Sequence, residues 1–299
     1  MAESRNPAGE GAPAASVRLH PRRWRDFRYV YPVLSRRSRG ISIGINLNPD
    51  KVCNWDCVYC QVDRTVPSPI RTVDEEVLHD ELRAILRAAR DGSLFADPEF
   101  AAVASPYRVV RDLCFAGDGE PPSYPNFHGV VEDVLRIRRE EGFGDLKVVV
   151  LTNATLLDRP RVKEALLLLD ADHGELWLKL DAGTEAYYRM VDRSTLPFAR
   201  VLANLRETAR GRPVVLQSLF MKLHGRNPPA EEIEAYCDRV REILAAGGVL
   251  RAIQVYTVAR RPAEPFVEPL ADDEVDALAA VIRGRVGVPV ETYYSERLA

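Results

Sequence analysis

Six short apolar runs, each followed by an amphipathic helical segment, constrain this chain more than any other feature of its 299 residues. The runs read as strands at 41–47, 109–116, 146–152, 175–181, 213–221 and 250–257. Helices read at 73–91, 126–141, 158–169, 197–209 and 230–246, with a last one at 272–284. In the first helix, Val77, Leu78, Leu82, Ile85, Leu86 and Ala89 recur at helical spacing and form one apolar face. Thr72 and Glu75 are spaced as a capping box, and Gly92 is the expected stop. Parallel strands need long crossovers, and these helices supply them. Runs such as LKVVVL at 146–151 are apolar nearly throughout, as strands covered by helices are. An open doubly wound sheet and a complete or partial barrel both fit; periodicity does not choose between them.

Charge and composition narrow the function classes. A formal net charge of -3 gives the surface as a whole no bias toward nucleic acid or lipid. No apolar run approaches the ~20 residues of a membrane span, and the N-terminus has no signal-peptide pattern, so a cytoplasmic protein without a membrane partner is expected. Residues 1–16 read as a disordered tail rich in Ala, Gly and Pro. Residues 17–40 read as a basic N-terminal extension: eight arginines lie between Arg18 and Arg39 against the single acid Asp26. The repeating units occupy 41–260, and 261–299 forms a C-terminal extension with one helix.

The chemistry is carried by Cys53-Asn-Trp-Asp-Cys57-Val-Tyr-Cys60, directly after the first run. Three thiols within eight residues let one loop wrap a small inorganic centre, and thiolates are the usual protein ligands of iron–sulfur clusters. A disulfide here leaves an odd thiol and suits a different redox compartment. Zinc with three Cys and one His needs a distant histidine, since His20, His79, His128, His173 and His224 are all remote from the loop. Three protein ligands on a cubane leave one iron open, as a reactive site requires. Cys114, inside a strand, and Cys237, on a helix face with Ile233, Val240 and Leu244, read as core.

Cys-x3-Cys-x2-Cys after a first strand resembles the signature of the radical S-adenosylmethionine (SAM) superfamily. Other motifs extend the resemblance: Tyr59 before the last cysteine, Gly117-Asp-Gly-Glu120-Pro after the second strand, and Leu151-Thr-Asn153-Ala after the third. Gly-Asp-Gly-Glu stands where Gly-Gly-Glu is commonest, and Ala154 where that family has glycine. The resemblance implies a partial (β/α)6 TIM-like barrel over 38–260. It further implies a [4Fe–4S] cluster on Cys53, Cys57 and Cys60, with SAM on the fourth iron, cleaved reductively to a 5′-deoxyadenosyl radical that abstracts hydrogen from a substrate. In that scheme Tyr59 packs near the adenine, Glu120 accepts from the methionine ammonium, Gly117 and Gly119 let the backbone approach the cofactor, and Asn153 touches the ribose or caps the next helix. Lys179 and Asp181, two apart on the fourth strand, share a face. They form either a pair near the ribose or substrate, or a buried ion pair. Gln217, Gln254 and Tyr256 are further candidates on later strands. Trp55 reads as packing. The catalytic residue toward substrate is unassigned.

The segments INLNPDKVCNWDCVYCQVDR, GDGEPPSYPNF, LKLDAG and QVYTVARRPAE are similar to the branch that contains the wyosine-tRNA synthases. The tRNA enzyme of that branch uses a second cluster, for which only Cys114 and Cys237 remain here. A single cluster is therefore expected. The implied partners are a small-molecule substrate or, alternatively, an RNA, and a reductase or a flavodoxin- or ferredoxin-type electron donor. RNA would engage the arginines of 18–39, with Trp24 and Tyr29 stacking on bases; the other reading is a solvated face. A non-catalytic iron–sulfur carrier or redox sensor and a tRNA-modifying enzyme are the alternatives to a SAM-cleaving enzyme with another substrate.

Overall fold

The computed structural model describes residues 24–295. The tail at 1–16 and the first arginines of the basic segment lie outside the described residues. In chain order the elements are β1 (Val30–Ser35), β2 (Gly40–Ile45), α1 (Glu75–Asp91), α2 (Ser93–Ala96), β3 (Val110–Phe115), α3 (Phe127–Glu140), β4 (Lys147–Thr152) and α4 (Pro160–Asp170). They continue with β5 (Gly174–Lys179), α5 (Glu185–Val191), α6 (Phe198–Gly211), β6 (Val214–Leu219), β7 (Lys222–Leu223), α7 (Ala230–Ala245) and β8 (Leu250–Tyr256). β9 (Val267–Glu268), α8 (Asp272–Val286) and β10 (Val290–Tyr293) complete the chain.

Eight strands form one sheet in the order β1-β2-β3-β4-β5-β6-β8-β10, and β7 pairs with β9 apart from it. Every neighbour in the large sheet is parallel except β1, which runs antiparallel to β2. The sheet curls into a partial barrel, so its two edges approach one another. Arg36, just past β1, donates to the carbonyl of Tyr294, just past β10, and bridges the seam. The six expected strands and their helices are all present, and the sheet extends beyond 41–260 at both ends through β1 and β10.

Alternation along the strands separates two environments. Ile41, Ile43, Ile45, Leu113, Phe115, Val148, Val150, Leu176, Leu178, Leu216, Ile253 and Val255 are buried in the main core that the helices share. Cys114, Val149, Trp177 and Val215 form a second, smaller cluster, joined by Ala116 and Leu151. This second set is the barrel interior. Gly44 belongs to the same side: a Cβ there would sit 2.3 Å from the Tyr31 ring, so glycine is what admits that ring from β1. Tyr31 then donates to the carbonyl of Ala116 at 3.0 Å.

Two local expectations change. Asp74, not Thr72, caps α1, accepting from the Val77 amide, while Gly92 stops it in the left-handed region as expected. Trp24 and Tyr29 are not available to stack on bases. Both are buried; Trp24 donates to Asp97, and the Tyr29 amide donates to Glu81, whose carboxylate also takes the amides of Arg28 and Val30. Among the described residues no helix is long and apolar enough to cross a membrane.

Candidate functional site

β2 ends at Ile45, and the chain then forms the cysteine loop. Its shape comes from backbone hydrogen bonds to two distant segments. The amides of Asp56 and Val58 donate to the carbonyls of Asp192 and Val191 at the end of α5, at 3.1 and 2.9 Å. The amides of Ala263 and Glu264 donate to Cys60 and Val58 at 2.7 and 3.3 Å. Trp55 packs its ring edge-on to Tyr188, which stacks on Phe198, so the expectation of packing for Trp55 is met. Cys53, Cys57 and Cys60 are free thiols, each half-buried.

Arg64 ties the cysteine loop to the glycine motif. It donates to Cys60 Sγ at 3.0 Å, to the Lys51 carbonyl at 3.1 Å and to the Asp118 carbonyl at 3.2 Å. The two loops also press directly together. A Cβ at Gly117 would meet the Asn46 side chain at 2.3 Å, and one at Gly119 would meet the Val52 carbonyl oxygen at 2.2 Å and Asn48 at 2.7 Å. These glycines are therefore required for loop-to-loop contact, whatever lies in the cavity beyond.

Glu120 is buried at 3% exposure. It accepts from the Thr152 hydroxyl and, at 2.9 Å, from the Asn153 amide. Burial lifts its pKa to about 7 against the pull of these two donors. Asn153 accepts from the Thr155 amide and hydroxyl and donates to Asn54 Oδ1 at 2.7 Å, so it links the end of β4 to the cysteine loop. Asn153 does not cap α4, whose N-cap is Arg159. Ala154 lies at φ +64°, in the left-handed region that favours glycine.

Lys179 and Asp181 form a buried ion pair at 3.0 Å. Burial alone disfavours the Lys179 ammonium, but Asp181, then Tyr256 and Cys57, outweigh it and raise its pKa. Lys179 also donates to the Tyr256 hydroxyl at 3.0 Å and lies 5.0 Å from the Tyr59 ring centre. Tyr59 donates to Asp181 at 2.5 Å, with Asp192 at 3.2 Å. Burial, with Asp181 beside it, pushes Asp192 well up.

A cavity of ≈ 230 Å³ gathers much of this set. Cys53, Cys57, Gly117, Gly119, Glu120, Asn153 and Lys179 line it; Cys60, Tyr59 and Asp181 do not. Cys57 and Cys60 also line a more open groove with Arg64 and Arg193. Burial pushes the Cys53 thiol up to about 11 and raises the Cys57 thiol well above its ordinary value. Among the described residues no three Cys, His, Asp or Glu side chains converge on a point suited to a single metal ion. Ligands to separate irons of a cluster do not need to share such a point.

Sequence reasoning gave no role to Asn46, Asn48, Asn54, Arg64 and Asp192, and it placed Thr152 in a motif without its bond to Glu120. Arg64, four residues after Cys60, had a signal in its spacing. Asp192 had none, because its place is set by a contact across 133 residues.

The Radical SAM superfamily model matches residues 47–234. A UPF0026 protein of Helicobacter pylori is 24% identical over 249 residues, which cover 82% of this chain and 70% of that protein. A UPF0026 protein of Methanocaldococcus jannaschii is 30% identical over 162 residues, 54% of this chain and 43% of that protein. A Brachyspira hyodysenteriae protein named GTPase Obg is 22% identical over 271 residues, 88% of this chain but 35% of that longer protein. The chain thus spans about a third of one of these relatives and under half of another. Among solved structures, TYW1 with a lysine–pyruvate adduct bound is similar in fold, with a TM-score of 0.50 and 14% identity over 83% of this chain and 74% of that one.

Proposed function

The chain belongs to the Radical SAM superfamily and is an enzyme of that type; we propose that it binds a [4Fe–4S] cluster on Cys53, Cys57 and Cys60 and cleaves SAM reductively. The observation that carries this reading is one cavity lined by two of the three thiols, the glycine motif and a buried carboxylate. The donor set fits the group: three unpaired thiols on one loop, with an arginine N–H already directed at one sulfur. When bound, the cluster supplies the electron that splits the sulfonium of SAM and releases the 5′-deoxyadenosyl radical.

The chain's own residues bind, orient and exclude water. Glu120 accepts a charge-assisted hydrogen bond from the methionine ammonium, held at its angle by Thr152 and the Asn153 amide. Asn153, lining the cavity, is available to the ribose. Gly117 and Gly119 bring the strip that carries Glu120 against the cysteine loop. Tyr59, whose hydroxyl is anchored on Asp181, keeps its ring as the candidate for adenine contact. Lys179 presents the cationic edge of the buried pair to the cavity. Arg64 supports the cluster's electronics from the groove side.

Reduced protein reconstituted under anaerobic conditions tests this. Its electron paramagnetic resonance signal is expected to change shape on adding SAM, and a Glu120→Ala variant to need at least tenfold more SAM for that change. A fully loaded cluster whose signal ignores SAM would leave an iron–sulfur protein without this chemistry.

A further inference from the structure

The cavity has two ends of unlike chemistry. One end is the cysteine loop with Glu120; at the other, Arg36 and Arg37 enter from the β1–β2 turn. Arg37 lies 5.5 Å from the Trp177 ring centre and 5.1 Å from that of Tyr256, and donates to Gln217 Oε1. Arg36 donates to the Tyr294 carbonyl. A guanidinium carries five N–H donors, so one acceptor apiece leaves most of the donor capacity open.

The nearby carboxylates make their direct contacts with other residues. Glu175 pairs with Lys147 and Arg251, and Asp181 with Lys179. Asp112 accepts from Ser42 on one oxygen, its other oxygen being buried without a direct partner, and Glu291 accepts from Tyr293 and Gln254. Among the described residues no ion pair reaches Arg36 or Arg37. Burial, and then the charge of Arg37, lower the Arg36 pKa to about 10, which still leaves it charged at neutral pH. Two adjacent cations thus line a half-enclosed cavity whose lining contains one acid, Glu120, at the far end. Such a pair favours an oxyanion, which a guanidinium holds in a two-point contact.

We propose that Arg36 and Arg37 form the anion-binding end of the substrate cavity, so that the substrate is a small molecule bearing a carboxylate or phosphate, anchored there with its reacting carbon toward the cysteine loop. The name "substrate" rests on the reading of the preceding section; the anion site itself does not.

The test is calorimetric titration of the purified full chain with inorganic phosphate and, separately, with malonate at constant ionic strength. At least one anion is expected to bind, and which one separates the two chemistries. Arg36→Gln and Arg37→Gln each weaken binding tenfold or more, whereas Arg39→Gln, an exposed arginine of the same turn, leaves it unchanged. Thermal unfolding of each variant separates lost binding from lost structure. If the variants unfold, the bound anion must instead protect Arg36 and Arg37 of the wild-type chain from phenylglyoxal, read by peptide mass. No binding of either anion, binding indifferent to both substitutions, or no protection would overturn the proposal and leave the arginines as staples of the barrel seam. Anion binding without 5′-deoxyadenosine production would sink the SAM reading alone, and the reverse would sink this one alone.

Discussion

Among single residues, Glu120 and Arg64 bear most directly on cofactor binding and cluster potential. Glu120 has a pKa of about 7 because burial outweighs its two donors. A group raised above its unfolded value contributes stability that is present at low pH and is lost as pH rises through about 7. A bound ammonium reverses that balance by stabilising the carboxylate. SAM affinity is therefore predicted to fall toward tenfold per unit below pH 7, as binding must expel a proton from Glu120; above the ordinary α-amino pKa of about 8 the methionine ammonium loses its own proton and the affinity declines again. Glu120→Gln should abolish the fall below pH 7 along with most of the affinity; titrations from about pH 5.5 to 7.5 decide this, and a wild-type profile flat below pH 7 contradicts it. Arg64 places a charged donor on Cys60 Sγ. Arg64→Met should lower the cluster's midpoint potential by about 50 mV, near the 59 mV that a tenfold one-electron shift represents. An unchanged potential in a loaded variant would remove Arg64 from that role. At Ala154, the left-handed backbone costs roughly 1–2 kcal/mol, and the buried methyl returns about 0.8. Ala154→Gly is thus expected to shift stability by no more than about 1 kcal/mol on denaturant titration, although the position is fully buried.

The elements show which physics a sequence displays. The six inner strands and their long helices were legible because each repeats apolar residues at its own period over many positions. β1 was hidden inside an arginine-rich stretch and carries Pro32, tolerated because β1 is an edge strand. β10 has four residues and α5 seven, too short for a period to stand out. The cysteine spacing and the glycine motif were equally legible, since their chemistry is local in sequence. What fills the space around them was not. The glycines were read as making room for a cofactor, whereas the Asn46 and Asn48 side chains and the Val52 carbonyl occupy the space where their Cβ atoms would go. Gly119→Ala is predicted to destabilise by about 1–3 kcal/mol through overpacking and to reduce iron content per chain. Wild-type stability and loading would show that the two loops do not need this contact.

For the molecule as a whole, periodicity left an open sheet and a barrel equally possible. Curling of the sheet from β1 to β10 decides for the partial barrel, and the hydrogen bond from Arg36 to Tyr294 holds its edges together. Curling also creates the interior in which Cys53, Cys57, Glu120 and the two arginines share one cavity. That enclosure was not legible, because it depends on strands distant in sequence and on side chains with no motif. The most direct measurement is 5′-deoxyadenosine formed by the anaerobically reconstituted, reduced protein with SAM, beside a Cys57→Ala control. Slow, cysteine-dependent production is expected even without substrate, rising when an anionic substrate is supplied. A fully loaded cluster that yields no nucleoside, with or without such substrates, would contradict it.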